Sequence, residues 1–245
     1  MRKLCVVLWL AGLFAMSSAQ AAMQVTLYQD LSNYSSGNGG EFNAVPNVAL
    51  LSANPTLSGY SSATADLLNE TYFQTFCIET MEYFSPGSTY NVTISDKILY
   101  NAGQFPSGGP ITLGTAWLYS QFAAGTLNGY DYTYGSGRTA TAGDLQQAIW
   151  YLQGEAGLIN GGADGTTFYN DAVSALGGTV GDPANGAYGV FALNMWTPNE
   201  DGSNGAAAQD QLMVVPEPTT VSFGFLFLLP FGLSKVRAFF RRQTV

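Results

Sequence analysis

The chain contains no histidine. That absence excludes Ser-His-Asp and Cys-His hydrolases together with His-ligated zinc sites. Cations are scarce in the body of the protein: between Ala22 and Val215 the only basic residues are Lys97 and Arg138, whereas nearly all of the 17 acidic residues lie there. Such a surface repels phosphate backbones, so nucleic acid is not an expected partner. Cysteine is limited to Cys5 and Cys77, and no internal repeat is present. What the chain has in abundance is Gly (29 residues), aromatic side chains at 13%, and many Ser, Thr, Asn and Tyr residues. This composition suits a secreted, turn-rich globular protein, and the aromatic content argues against disorder.

Both ends read as processing signals. Arg2 and Lys3, an apolar core from Leu4 to Met16 and Ala19-Gln20-Ala21 form a secretory signal over residues 1–21, cleaved before Ala22. At the other end, an apolar stretch from Val221 to Leu233 precedes Lys235, Arg237, Arg241 and Arg242. The basic stop keeps the tail in the cytoplasm and the body outside. The span is shorter than the ~20 residues of a permanent membrane helix, which suggests a transient hold in the inner membrane. Val215-Pro216-Glu217-Pro218, the apolar span and the terminal Arg241-Arg242 cluster together resemble the PEP-CTERM sorting signal of Gram-negative bacteria, here residues 216–245 with Val215 leading in. The resemblance implies recognition and removal of the tail by an exosortase. Release or attachment at the cell surface would follow, often within an exopolysaccharide matrix.

The mature body, residues 22–215, is long enough for one domain with a sizeable core. Alternation predicts a strand from Met23 to Tyr28, followed by the polar, glycine-containing loop "SNYSSGNGGEFN". Further strands are expected at Thr71 to Glu79 and Thr89 to Ser95, with the turn Ser85-Pro86-Gly87 between them and a possible hairpin pairing. Helical periodicity then takes over. One helix follows Thr112 as N-cap, with Leu113, Ala116, Trp117, Leu118, Tyr119 and Phe122 on its apolar face and Gly125 as its stop. The next is expected to open on a Thr141/Asp144 capping box, to bury Leu145, Ala148, Ile149 and Leu152, and to stop at Gly154. A third is expected from Thr167 to Leu176, before strands at Tyr188 to Met195 and Gln211 to Val215. Strands, helices and strands again predict an α+β fold, a β-sandwich or barrel-like scaffold with a helical insert, in a single mature domain.

Removal of the export segment leaves Cys77 as a lone cysteine, so its role needs an account. Its apolar neighbours Phe76 and Ile78 permit a buried thiol acting as a small hydrophobe. A strand packed among aromatics is a poor place for a bridging disulfide, the site lies far from the signal junction for lipid attachment, and a nucleophile would lack the usual histidine base. A further reading pairs "FCIE", residues 76–79, with "LQQAIW", residues 145–150, whose Gln146 and Trp150 are four apart on one helix face. These segments resemble the paired motifs of bacterial thioester domains, an aromatic-Cys segment and a T-Q-x-A-hydrophobic-W helix, with Leu145 in place of the usual threonine. The resemblance implies an internal thioester between Cys77 and Gln146, lined by Phe76, Ala148, Ile149, Trp150 and Tyr151.

The chemistry needs both residue types. A thiolate adds to a carboxamide carbon, ammonia leaves, and an acyl group is stored on sulfur until a nucleophile arrives. Gln147 points about 100° away from Gln146 on the helix, so only one of them can face the thiol, and the motif register favours Gln146. A first-turn position would set Gln146 at the positive end of the helix dipole. Glu79 and Glu82 are read chiefly as solvated surface carboxylates, with proton shuttling as the rarer use. "NEDGSNG", residues 199–205, is read as a polar turn without EF-hand spacing. "GYDYTYG", residues 129–135, could stack on sugars. No metal, cofactor or turnover activity is expected. The expected function is a cell-surface or matrix protein that attaches covalently to an amine-bearing partner. Its rival is a non-covalent structural or exopolysaccharide-binding protein with Cys77 as a free buried thiol.

Overall fold

The first strand forms where alternation predicts it: Gln24–Tyr28 (β1) buries Val25 and Leu27 and leaves the residues between half-exposed. The computed structural model describes residues 21–29, 35, 39–55, 72–100, 108–133, 135–155 and 163–215. The expected export segment other than Ala21, and the sorting residues Pro216, Glu217, Pro218, Arg241 and Arg242, lie outside them. Among the described residues no helix is long and apolar enough to cross a membrane.

The stretch expected to be one polar loop instead ends in structure. Phe42–Pro46 (β2) pairs antiparallel with β1, and Val48–Ala53 (α1) follows, its N-terminus capped by Asn47, whose Oδ1 accepts the Leu50 N–H at 2.9 Å. Phe73–Thr75 (β3) pairs with β2, and Thr89–Ser95 (β4) pairs with β1. The expected hairpin between the Cys77 strand and β4 is therefore not formed. β4 takes its two neighbours from distant parts of the chain, because its buried Tyr90 and Val92 belong to an interior shared with β1 and with Val190–Pro198 (β7).

A short ribbon, Lys97–Ile98 (β5) with Gly109–Pro110 (β6), leads into the helices Leu113–Ala123 (α2), Ser136–Leu152 (α3) and Ala163–Leu176 (α4). The helices are inserted between β4 and β7, two strands that pair directly. Thr112 caps α2 as expected. The capping box does not form: α3 starts at Ser136, five residues before Thr141, whose hydroxyl donates to the Gly137 carbonyl and accepts the Asp131 N–H. The extra turn is held by burial of Arg138. β7 begins two residues later than predicted because Tyr188 adopts a left-handed φ of 59° in a 3-10 turn. The last strand, Asn204–Val214 (β8), is longer than predicted and forms a hairpin with β7. Residues 199–205 contribute its turn, with the Asn199 N–H donating to Ser203 O and left-handed Gly202 at the corner.

The result is a six-stranded antiparallel sheet in the order β3-β2-β1-β4-β7-β8, α+β in class. It curls until its two edges meet. Just beyond β3, Cys77 bridges Gln211 on β8, the Leu212 N–H donates to Phe76 O, and the Ile78 N–H donates to Asp210 O. Alternation along β7 and β8 separates two cores. Leu193, Met195 and Met213 join Val25, Leu27, Phe73 and Leu50 inside the curl. Ala192 and Leu212 pack outward under Phe76, Leu118, Leu145 and Ile149 of the helical layer. Cys77 stands at the seam between the sheet edges, in a small separate cluster with Phe42 and Trp150.

Candidate functional site

Cys77 and Gln146, 69 residues apart in sequence, meet at this seam. The thiol donates to the Gln146 Oε1 at 3.3 Å, and both residues are buried. The same oxygen accepts two backbone N–H groups, from Gly40 at 2.9 Å and from Cys77 itself at 3.2 Å, while Nε2 donates to Cys77 O at 2.7 Å. The pattern fixes the amide orientation, because a reversed amide would aim its NH₂ at two donors and its oxygen at a carbonyl. Gln147 is half-buried on another side of α3 and makes no such contact.

Two N–H donors converging on one carbonyl oxygen form the geometry that stabilises an oxyanion. They do not come from the helix terminus. Gln146 lies 146 − 136 = 10 residues into α3, beyond the reach of its dipole, and the donors belong instead to the seam strand and the Gly39-Gly40 loop. Both glycines are required by close approach. A Cβ on Gly39 would stand 2.5 Å from Gln146 Cγ, and one on Gly40 would stand 2.9 Å from Thr75 O and 3.1 Å from the Phe76 ring.

The next residue anchors the loop. Glu41 is buried and ion-paired with Arg138, whose Nε donates to Oε2 at 3.0 Å and whose Nη2 donates to Oε1. The Tyr130 hydroxyl donates to Oε2 at 2.6 Å, and Arg138 Nη1 donates to Tyr132 O. Arg138 and Gln146 share α3, so this clamp ties the Gly40 donor to the helix that presents its acceptor. Burial, then the charge of Glu41, pushes the Tyr130 phenol well above its ordinary range. Tyr130 is buried and the half-buried Tyr132 stacks on Phe122, so these two rings of the aromatic loop serve the core rather than offering faces to a sugar. Tyr134 lies outside the described residues.

The expected lining divides. Trp150 packs on Cys77, and Phe42 joins it, its ring edge-on to Phe84 at 4.9 Å. Phe76 backs Gly40 but otherwise belongs, with Ala148 and Ile149, to the core beneath the helices. Tyr151 turns away to pack edge-on against Tyr169 of α4.

Glu79 is not a solvated carboxylate. It is 1% exposed, and its Oε2 accepts the Asp210 N–H at 2.6 Å. Burial, then the charge of Asp210, pushes it up to about 10, and burial pushes Asp210 up to about 6. Asp210 is the member of this pair that holds the charge, since it accepts the Leu99 N–H, Asn194 Nδ2 and the Met195 N–H. Glu82 is half-buried and carries no role here. Burial, then the nearby Glu79, pushes the Cys77 thiol well above its ordinary value. The Trp150 indole N–H, which has no acceptor in hydrogen-bonding geometry, favours the thiolate. Among the described residues no group of His, Cys, Asp and Glu is arranged to hold a metal.

Sequence reasoning singled out Cys77, Gln146 and Trp150. It missed Gly39, Gly40, Glu41, Arg138 and Asp210, whose roles depend on pairings across the fold. The one available signal was the contrast of a buried-type Arg138 with a body otherwise almost free of cations. No family model, curated protein or solved structure matches the chain, so the reading of this site rests on its own geometry.

Proposed function

We propose that the protein stores a Cys77–Gln146 thioester and uses it once, to attach covalently to an amine-bearing molecule outside the cell. The observation that carries this reading is the Gln146 carboxamide oxygen, held by two backbone N–H groups with the Cys77 sulfur 3.3 Å away. In the forming step the Sγ–Cδ bond is made and the Cδ–Nε2 bond broken. The thiol proton ends on the departing nitrogen, which leaves as ammonia. Negative charge gathered on Oε1 during addition is met by the Gly40 and Cys77 N–H groups. Contact between the two side chains supplies the proximity that replaces a histidine base. In the capture step an amine nitrogen bonds to Cδ, the Cδ–Sγ bond breaks, and a proton from the amine passes to sulfur. The raised thiol pKa favours that protonated product. Phe42, Trp150 and Phe84 keep the bond dry until then.

The two ends of the chain support the setting: export by the segment 1–21, then exosortase processing at residues 216–245 after a transient hold in the inner membrane. The destination is the cell surface or an exopolysaccharide matrix. A rival reading, a structural matrix protein with a free thiol, draws support from the complete burial of Cys77. Intact mass of the purified body decides between them. One ammonia less than the sequence, restored by Cys77→Ala, is the expected result, and a full-sequence mass in the parent removes the covalent reading.

A further inference from the structure

Beside the thiol, four buried polar atoms have no partner: Glu79 Oε1, Glu155 Oε1, Gln211 Oε1 and Trp150 Nε1. Buried polar groups are rarely left this way, and several at one place call for a ligand or a cost. Backbone pairing gathers them along residues 77–80. Gln211 stands opposite Cys77 across the seam, with its side chain on the same face. Glu79 is two residues on from Cys77. Glu155 holds the following residue, its Oε2 accepting the N–H and the hydroxyl of Thr80 at 3.0 Å each, which leaves Oε1 spare. Trp150 packs against Cys77 itself.

Three of the four atoms are oxygens that can only accept, apart from the proton Glu79 carries. A primary ammonium brings three N–H donors and a positive charge; among the described residues no cation pairs with Glu155, and the neutral Glu79 offers an acceptor oxygen rather than a charge. Arg138 is committed to Glu41. Glu155 is half-buried, and Met81 and Tyr83, which follow the Thr80 that it holds, are 61% and 64% exposed, so apolar surface follows directly along the chain.

We infer that Glu79, Glu155 and Gln211 form a subsite for a primary alkylammonium group, a lysine side chain or a molecule of the same chemistry, delivered beside the Cys77–Gln146 bond with Trp150 as its wall. The inference gives the thioester reading its selectivity and rests on that reading for its purpose. It accounts for amine capture in preference to hydroxyl groups, because a neutral hydroxyl supplies one donor and no charge to the same acceptors. Both carboxyl groups also act electrostatically on the thiol, Glu79 more strongly than Glu155.

The test separates the subsite from the bond. In a Cys77→Ala chain, which cannot form the thioester, n-butylammonium is titrated against the protein and compared with 1-butanol by NMR shift perturbation. Saturable binding of the ammonium alone is expected, weakened about tenfold or more by Glu155→Gln, with Gln211→Met, which removes a second acceptor, as a further variant should the first fold poorly. In the parent chain the ratio of n-butylamine capture to hydrolysis is expected to fall about tenfold in Glu155→Gln. Saturation that ignores both substitutions, or equal binding of the alcohol, overturns the subsite. Carboxylate-dependent ammonium binding in a chain whose parent shows no ammonia loss retains the subsite and overturns the thioester.

Discussion

Two buried glutamates flank the Cys77–Gln146 contact, and they are handled in opposite ways. Glu41 meets a cation: Arg138 grips it through two nitrogens, and Tyr130 adds a third donor. Glu79 is buried without a cation among the described residues and shares its surroundings with a second acid, Asp210; burial first, then that charge, pushes its pKa up to about 10. The difference separates two jobs. A neutralised carboxylate on the residue after Gly40 fixes a backbone donor in place. A neutral acid, two residues after Cys77, leaves one oxygen without a hydrogen bond, the feature on which the proposed ammonium subsite draws.

Breaking the Glu41 side should have the largest effect. Arg138→Met strands Glu41 in the interior, and a loss of about 3–5 kcal/mol in unfolding free energy is expected by urea titration. Gly39→Ala leaves the ion pair intact but drives a methyl group against Gln146 Cγ, now 2.5 Å away from that position. Ammonia loss after refolding, followed by intact mass, should slow at least ~100-fold, the order found when an oxyanion donor is misplaced.

The Glu79 side is read through pH. Its folded pKa is raised from 4.5 to about 10, so the unfolded chain releases a proton that the folded chain retains. The stability that this group contributes is therefore greatest below about pH 4.5 and falls as pH rises toward 10, by at most about 1.4 kcal/mol per pH unit. Asp210, raised to about 6, adds to the fall only at the acidic end. Glu79→Gln should remove this contribution between pH 6 and 9, measured as urea midpoints across that range, whereas Glu41→Gln should not. The smallest effect is expected of Tyr130→Phe, which removes one of three donors to Glu41 and should cost about 1 kcal/mol with ammonia loss retained.

The same contrast explains what could be read from the sequence. Cys77 and Gln146 were legible because their partnership is written in residue type and local pattern, a thiol in an aromatic strand and a carboxamide on a helix with Trp150. β4 was legible to its ends, and so was the Thr112 cap, since both depend on neighbours in the chain. Gly39 and Gly40 were not, because two glycines in a polar stretch look like any turn until Gln146 is packed against them. Glu41 and Arg138 lie 97 residues apart, and nothing local marks either as buried. Glu79 was misread as solvated because its burial comes from the closing of β3 onto β8, a long-range event that also cancelled the expected hairpin with β4. The Thr141/Asp144 pattern misled for the same reason: Glu41 stabilises the turn before it.

The measurement that reaches the central claim most directly is methylamine uptake by the purified chain, mapped by peptide mass. The account predicts one methylamine, bonded at Gln146 and not at Gln147, with one equivalent of Cys77 thiol becoming alkylatable as it is taken up. A chain that takes up no methylamine, and whose Cys77 alkylates fully on denaturation without amine treatment, would contradict it.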